Sequence, residues 1–346
     1  MARKLLWAFL GLAPLTLFVH YAFHPGSTAD FVLAAASLVP LAWLIGEATE
    51  HAAHHTGAGI GGFLNATFGN APELIIALFA VSDGLTEVVR GSLTGSVVGN
   101  LLLVLGFSLL FGGRGELDKE SSFVSLALVA LATLLFLVPA IPGFEGDPER
   151  RSLAELSLIP AFILLVVYVA VTYASLRRHR KLHLREEPSD MAAWSLGLAL
   201  AVLGVATVAT ALIAELLVGA LDEFADDAGL SEFFVAAVIV AIVGNAAEHG
   251  GAVVVAARGK IKLAAEIALA SSAQVAVFLV PAVALLSWLI DPLALSLRPV
   301  ELGVLGAATI VTAGLLAQGR SSRARGLVLI AAYVAAAVAF FVAGDR

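Results

Sequence analysis

Long apolar stretches dominate the chain, and short clusters of charge punctuate them. A helix needs about 20 mainly apolar residues to cross a bilayer core. Stretches of that kind fall near 4–23, 28–52, 57–82, 86–111, 121–140, 152–176, 191–219, 231–257, 262–290, 298–317 and 325–343, which predicts eleven transmembrane helices. The third and eighth are the least regular, because glycine and polar residues interrupt them. The first carries Arg3 and Lys4 ahead of its apolar run, as a signal peptide would. That run continues to Phe23 with no clear small-residue cleavage site, so it reads as a first membrane helix.

The basic residues orient these helices. With a cytoplasmic N-terminus, the inside collects Arg3, Lys4, Arg114, Lys119, Arg177, Arg178, Arg180, Lys181, Arg185, Arg258, Lys260, Lys262, Arg320, Arg323 and Arg325. The outside holds Arg90, Arg150, Arg151, Arg298 and Arg346. Fifteen against five follows the positive-inside rule and places the C-terminus outside. The acidic loop from Asp222 to Glu232 then faces outside, where it is a solvated loop or draws cations toward the membrane.

Composition agrees. The chain is 60% hydrophobic and 14% charged, with a mean hydropathy of +0.97, whereas soluble domains carry about 25% charged residues. An all-α polytopic membrane protein is expected, with no separate soluble domain. The absence of cysteine excludes disulfides, thiolate metal sites and a cysteine nucleophile. Basic residues sit in short loops rather than on one face, which argues against nucleic-acid binding.

One motif occurs twice. Gly69-Asn70-Ala71-Pro72-Glu73 and Gly244-Asn245-Ala246-Ala247-Glu248 lie 175 residues apart, and at the same offset Ser96 aligns with Ser271. The second copy lies five predicted crossings after the first, an odd number, so the two copies run through the membrane in opposite directions. Inverted repeats with a midplane site are a signature of secondary transporters. A carboxylate at a bilayer centre costs about 2.5–3.5 kcal/mol on insertion scales, and usually marks an ion path or proton relay.

The chemistry of the motif suits a hard cation. Gly, Asn and Pro are poor helix formers, and Pro72 frees a carbonyl about one turn earlier. Irregular backbone is tolerated in lipid only where it lines a cavity or is buried in protein. Glu73 and Glu248 with the amide oxygens of Asn70 and Asn245, and carbonyls around Gly69 and Gly244, form an oxygen-only set of the kind calcium takes. Two carboxylates neutralise one divalent ion. Left empty, they repel each other in a low dielectric and their proton affinity rises, so protons compete with the metal.

A second cluster, Glu47, Glu50, His51, His54 and His55, lies at the inner end of the second helix, with i,i+4 pairs among its members. Glu47, Glu50 and His51 are candidates for a cytoplasmic proton gate, since His titrates near neutrality. A weak zinc site and a solvated helix end are the other readings, the latter favoured for His54 and His55. His249 follows Glu248 directly and points about 100° away on a regular helix, where it supports the site by hydrogen bonding rather than ligating.

The motifs are long and specific. Gly46-Glu47-Ala48-Thr49-Glu50, the run from Gly61-Gly62-Phe63-Leu64-Asn65 through Glu73 to Ala77, Gly95-Ser96-Val97-Val98-Gly99-Asn100, Val243 to His249, and Ser271-Ser272-Ala273-Gln274 together resemble the calcium/proton (cation/proton) exchanger family of the calcium:cation antiporter superfamily. The resemblance covers helices 2–11. It implies a peripheral N-terminal helix (1–26), a first five-helix repeat (27–176), a cytoplasmic linker (177–190) and an inverted second repeat (191–346). It also implies that Glu73 and Glu248 bind the transported cation, and that Ser96, Ser271 and Gln274 support them. The linker is mostly basic where many family members carry an acidic helix, which puts a regulatory calcium site there in doubt.

The expected function is export of Ca2+ from the cytoplasm in exchange for H+, by alternating access at a midplane two-glutamate site. Sodium- or potassium-coupled calcium exchange and a broader divalent (Mn2+) proton antiporter are the alternatives. Neither His-Glu-x-x-His nor Gly-x-Ser-x-Gly occurs, which argues against an intramembrane hydrolase and for a non-enzyme. Calcium, protons and the lipid bilayer are the expected partners, with no cofactor and no nucleic acid. A homo-oligomer is compatible with the sequence, and a prokaryotic-type cytoplasmic membrane is the expected location.

Overall fold

Helices of membrane-crossing length form where the sequence places its apolar runs. The computed structural model describes residues 2–182 and 194–345, without the side chains of 2–5, 57–63, 65, 66, 175–182 and 247–249. Among the described residues nine helices are long and apolar enough to cross a membrane, and a tenth if one bent pair is a single span. The protein is therefore a largely helical polytopic membrane protein.

In chain order the helices are α1 (Ala2–Phe9), α2 (Leu12–Phe23), α3 (Ser27–Phe68), α4 (Ala71–Ser82), α5 (Thr86–Val98) and α6 (Leu105–Gly112). Then come α7 (Lys119–Gly143), α8 (Arg151–Leu182), α9 (Leu196–Gly219), α10 (Leu221–Ala228), α11 (Glu232–Phe234), α12 (Ala241–Gly244) and α13 (Ala246–Ala257). The series ends with α14 (Ile261–Gln274), α15 (Val280–Leu286), α16 (Pro299–Leu316) and α17 (Arg323–Ala343). Widened π turns at Gly99–Val104, Val235–Val240 and Val275–Leu279 join α5 to α6, α11 to α12 and α14 to α15. A two-stranded ribbon pairs β1 (Gly115–Glu116) with β2 (Arg320–Ser321).

Two boundaries differ from those the apolar pattern predicts. The expected break between the second and third helices, near 52–57, is absent: helical structure runs unbroken from Ser27 to Phe68, through Gly57, Gly59, Gly61 and Gly62. Glycine weakens a helix by about 1 kcal/mol per residue but does not forbid it. The chain breaks instead at Gly69-Asn70. Likewise α8 continues past 176 to Leu182, into the expected linker.

The halves match in detail. α4 and α13 each have 12 residues and are offset by 175, as are the starts of α5 and α14, and a π turn follows both latter helices. α4 leads toward the end of the molecule that holds Glu87 and Arg90; α13 leads toward the opposite end, where Lys262 pairs with Asp118 at 3.0 Å. Ser272 Oγ donates to the Val97 carbonyl at 3.2 Å, and these two residues are themselves 175 apart. α5 and α14 therefore meet at positions related by the same offset.

Apolar burial does not drive helix association in lipid; close backbone packing does. α5 shows this best. A Cβ added at Gly95 would lie 2.0 Å from the Ala237 carbonyl oxygen, and one at Gly91 would lie 2.7 Å from that of Phe233. The bilayer-facing surface carries large exposed side chains instead, among them Phe162, Val205, Ile310 and Val342.

The two ends differ in charge chemistry. At one, buried Arg90 pairs with Glu87 and Glu149, and Arg298 lies 3.2 Å from Glu301 and 3.6 Å from Glu87. The Arg298 guanidinium also covers the Phe233 ring at 4.0 Å and donates to the Gly344 carbonyl. Asp345 accepts from the Glu232 and Phe233 amides at the start of α11, which ties the C-terminal residues to this end. The other end is basic. There Asp118 caps α7, and its bond from the Ser121 amide, then Lys262, holds its carboxyl below the usual range.

Gly95→Ala is expected to destabilise the protein by about 1–3 kcal/mol through backbone overpacking. Gly204→Ala, at an exposed position with nothing within 4 Å, should be neutral or stabilising by up to about 1 kcal/mol. Thermal unfolding of both variants in detergent checks the pair.

Candidate cation site

Each copy of the motif builds the same local structure. Asn70 and Asn245 occupy the bridge region of backbone space, at φ −101°, ψ 15° and φ −90°, ψ 4°, and stand immediately before α4 and α13. Pro72 lies in the first turn of α4, where its missing N–H costs nothing and its fixed φ suits a helix start. Glu73 is the third residue of α4 and Glu248 the third of α13. A carboxylate in a first turn faces the positive end of the helix dipole, which favours its charged form.

Glu73 is buried, with 8% of its surface exposed. Its side chain packs on the other copy of the motif: a Cβ at Gly244 would lie 3.4 Å from Glu73 Cγ and 3.6 Å from Oε1. Those distances are ordinary van der Waals contacts, so the Glu73 carboxyl group lies directly against Gly244 of the second motif. The Glu248 and His249 side chains lie outside the described residues, so the structure places only their backbone on α13.

Neither asparagine caps its own helix. Asn245 Nδ2 donates to Ser96 Oγ at 2.8 Å and to the Ala241 carbonyl at 3.0 Å. Asn100 Nδ2 donates to the Ser96 carbonyl at 3.1 Å and reaches Asn245 Oδ1 at 3.4 Å. All three side chains are buried near the middle of the Thr86–Gly112 span. The network holds the break before α13 against the C-terminal end of α5, where the π turn begins at Gly99. Such turns often mark functional sites in helices.

The remaining expected site residues divide. Gly69 and Asn70 form the break before α4. Ser271 is buried on α14 beside Ser272, and half-buried Gln274 ends that helix at its π turn. Glu47 lies 3.5 Å from His51, but Glu50 is exposed on α3, so the expected gate cluster is only partly assembled. His51 stacks on Trp194 at 4.4 Å and accepts from its backbone N–H, and His55 Nε2 contacts the Trp194 carbonyl at 2.6 Å. Among the described residues no group of three or more His, Asp or Glu side chains is arranged to hold a metal ion.

Sequence reasoning gave Asn100 no role, although the structure puts it at the centre of the network. Its signal was a polar residue inside an apolar span, one position out of register with Gln274. Ser272 was likewise overlooked beside Ser271.

Comparison with known proteins gives this geometry a context. The family model described as sodium/calcium exchanger protein matches residues 26–177 and 198–342. The chain belongs to that family. It is 35% identical to a Ca2+/H+ antiporter of Synechocystis sp., over 98% of this chain and 97% of the relative. It is 38% identical to the Ca2+/H+ antiporter ChaA of Bacillus subtilis, over 92% and 93%. The solved structure of native YfkE superposes with a TM-score of 0.84 at 34% identity, covering 97% of this chain and 99% of that one. Membership places the chain among transporters rather than enzymes.

Asn245→Ala should cost about 1–3 kcal/mol, because Ser96 Oγ loses its buried donor and Asn100 loses one acceptor. Ser96→Ala should couple to it, so that the double variant costs less than the sum of the two. A double-mutant cycle of unfolding free energies checks this.

Proposed function

We propose that this exchanger-family chain is a secondary active antiporter that moves Ca2+ out of the cytoplasm in exchange for H+. The observation that carries the reading is a buried carboxylate, Glu73, at the break of one membrane helix and packed on the broken helix of the second motif. Its similarity to Ca2+/H+ antiporters over almost the whole chain supports the choice of ions.

In this reading the architecture is eleven transmembrane helices: a peripheral N-terminal helix at 1–26, and inverted five-helix repeats at 27–176 and 191–346, joined by the cytoplasmic linker 177–190. The matched offsets of α4 and α13, and their opposite headings, support the inversion. The N-terminus is cytoplasmic and the C-terminus outside, as the distribution of basic residues favours. The location is a prokaryotic cytoplasmic membrane.

Glu73 and Glu248 then form one site from two halves. With Ca2+ bound, the two carboxylates balance its charge, and carbonyls at the helix breaks, amide oxygens and water complete the oxygen shell. As Ca2+ leaves, two bare carboxylates in a low dielectric repel one another and take up protons. A site that is favourable with metal or with protons, and unfavourable empty, couples the two fluxes. Rocking of one repeat against the other about the fixed site gives alternating access. Asn245, Ser96 and Asn100 keep the second break seated on α5 as the halves move.

The test is Ca2+ uptake into proteoliposomes under an imposed pH gradient, with sodium and potassium gradients as controls. Uptake should follow the pH gradient alone, and Glu73→Gln or Glu248→Gln should reduce it to the level of protein-free liposomes. Sodium-driven uptake would instead assign the chain to cation-coupled calcium exchange. Either variant retaining full exchange would remove the paired-glutamate site. Imposing a membrane potential separates two protons per Ca2+, which is electroneutral, from three.

A further inference from the structure

The β1–β2 ribbon at the basic end frames an open cavity of about 570 Å3. Arg114, Arg320 and Arg325 line it, with Glu116 as the one acidic residue on its wall. Arg325 is held in place, its guanidinium donating to the Arg320 carbonyl and to Gln318 Oε1. Among the described residues Arg114 and Arg320 form no ion pair with a carboxylate, although Glu116 and Arg320 are register partners across the ribbon. Three guanidinium groups thus face one carboxylate, and an excess of positive charge is left at a concave surface.

The ribbon is rigidly seated. Ser321 Oγ donates to the Gly113 carbonyl at 2.7 Å and contacts that of Gly115 at 3.2 Å. Beneath it α6 and α17 touch backbone to backbone: a Cβ at Gly326 would lie 2.6 Å from the Gly106 carbonyl oxygen. The backbone that frames the open cavity is therefore set before any ligand arrives, and of the three arginines Arg325 is already held.

Its depth decides the ligand. Phe111 near the end of α6 and Leu327 and Val328 near the start of α17 are exposed at 57%, 55% and 48%, and belong to the lipid-facing surface. Arg114 follows Phe111 by three residues and Arg325 precedes Leu327 by two, so these two arginines stand close to exposed apolar side chains, as groups at headgroup depth would. Guanidinium groups match phosphate oxygens through paired N–H bonds. We propose that this cavity binds the phosphate of an anionic phospholipid headgroup, with the acyl chains lying along Phe111, Leu327 and Val328. A free phosphate satisfies the arginines but makes no use of the apolar surface beside them. The inference stands apart from the ion-exchange reading.

Native mass spectrometry of the full chain in detergent, titrated with phosphatidylglycerol, phosphatidylcholine or inorganic phosphate, tests it. Phosphatidylglycerol should bind the wild type more tightly than phosphatidylcholine, and excess inorganic phosphate should not displace it. An arginine near anionic lipid contributes about a fivefold factor in affinity, so Arg114→Gln with Arg320→Gln should weaken binding by about 25-fold. Replacing the same two by Lys should restore most of it, which separates lost charge from lost structure. Arg258→Gln, an exposed basic residue at the same end but outside the cavity, should bind as the wild type does. Unchanged binding by the double Gln variant overturns the proposal, as does an equal loss in Arg258→Gln. Displacement by inorganic phosphate at matched concentration overturns the lipid assignment.

Discussion

A carboxylate inside a membrane protein must always have company. Glu73 is buried near the middle of the fold, where an uncompensated charge is expensive enough to determine what surrounds it. The first turn of α4 gives it the positive end of a helix. Gly244 of the second motif lies against it, so the residue in the first turn of one helix packs on the break in another. Neither half of the chain can form this environment alone. The broken helices, the close packing and the polar network together hold that one group in place.

Backbone geometry does most of the positioning. Breaking α4 and α13 after asparagine leaves helix-end groups in the interior, which lipid forbids unless protein satisfies them. At the second break the asparagine bonds sideways rather than capping: Asn245 reaches across to Ser96 on α5, and Asn100 closes the triangle. Such a network is only as exact as the spacing of the helices that carry it. Gly91 and Gly95 set that spacing by letting α5 touch the backbone near Phe233 and Ala237. The Val97–Ser272 contact joins α5 to α14 at positions 175 residues apart.

Much of this was legible in the sequence because lipid enforces simple rules. Apolar runs marked the spans, and Gly-Asn-Ala-Pro-Glu marked a helix break, because no other role suits those residues in an apolar run. The glycines between 57 and 62 misled for a related reason: they resemble a break, but nothing in the chain forces one there, and the helix continues to Phe68. Asn100 could not be placed, because its role depends on the register of α5 against the break before α13, a relation between distant segments. The Glu87–Arg90–Glu149–Arg298–Glu301 cluster was hidden likewise: each residue reads as an ordinary loop or helix-end charge, and only the folded chain brings them together.

That cluster and the arginine cavity show how differently one fold can treat charge at its two ends. Removing paired ions from water costs several kcal/mol each, and their attraction repays this only with good geometry. Arg90 and Arg298 have part of that geometry, with carboxylates, a carbonyl and an aromatic face around them. Yet Arg90 Nε, Arg298 Nη2, Glu87 Oε2 and Glu301 Oε1 are buried without a hydrogen-bond partner among the described residues, so the pairing at this end is incomplete. A cluster of this kind need not be strong in net terms. Water entering it would solvate the same charges that the pairing now satisfies in part, so the free energies with and without the pairing lie closer together than the number of ion pairs suggests. At the opposite end Arg114 and Arg320 stay exposed, where solvent bears the cost of their charge and, among the described residues, no carboxylate pairs with them. Buried charge therefore specifies contacts inside the fold, and exposed charge of one sign specifies contacts outside it; Glu73, buried against the second motif, belongs to the first kind.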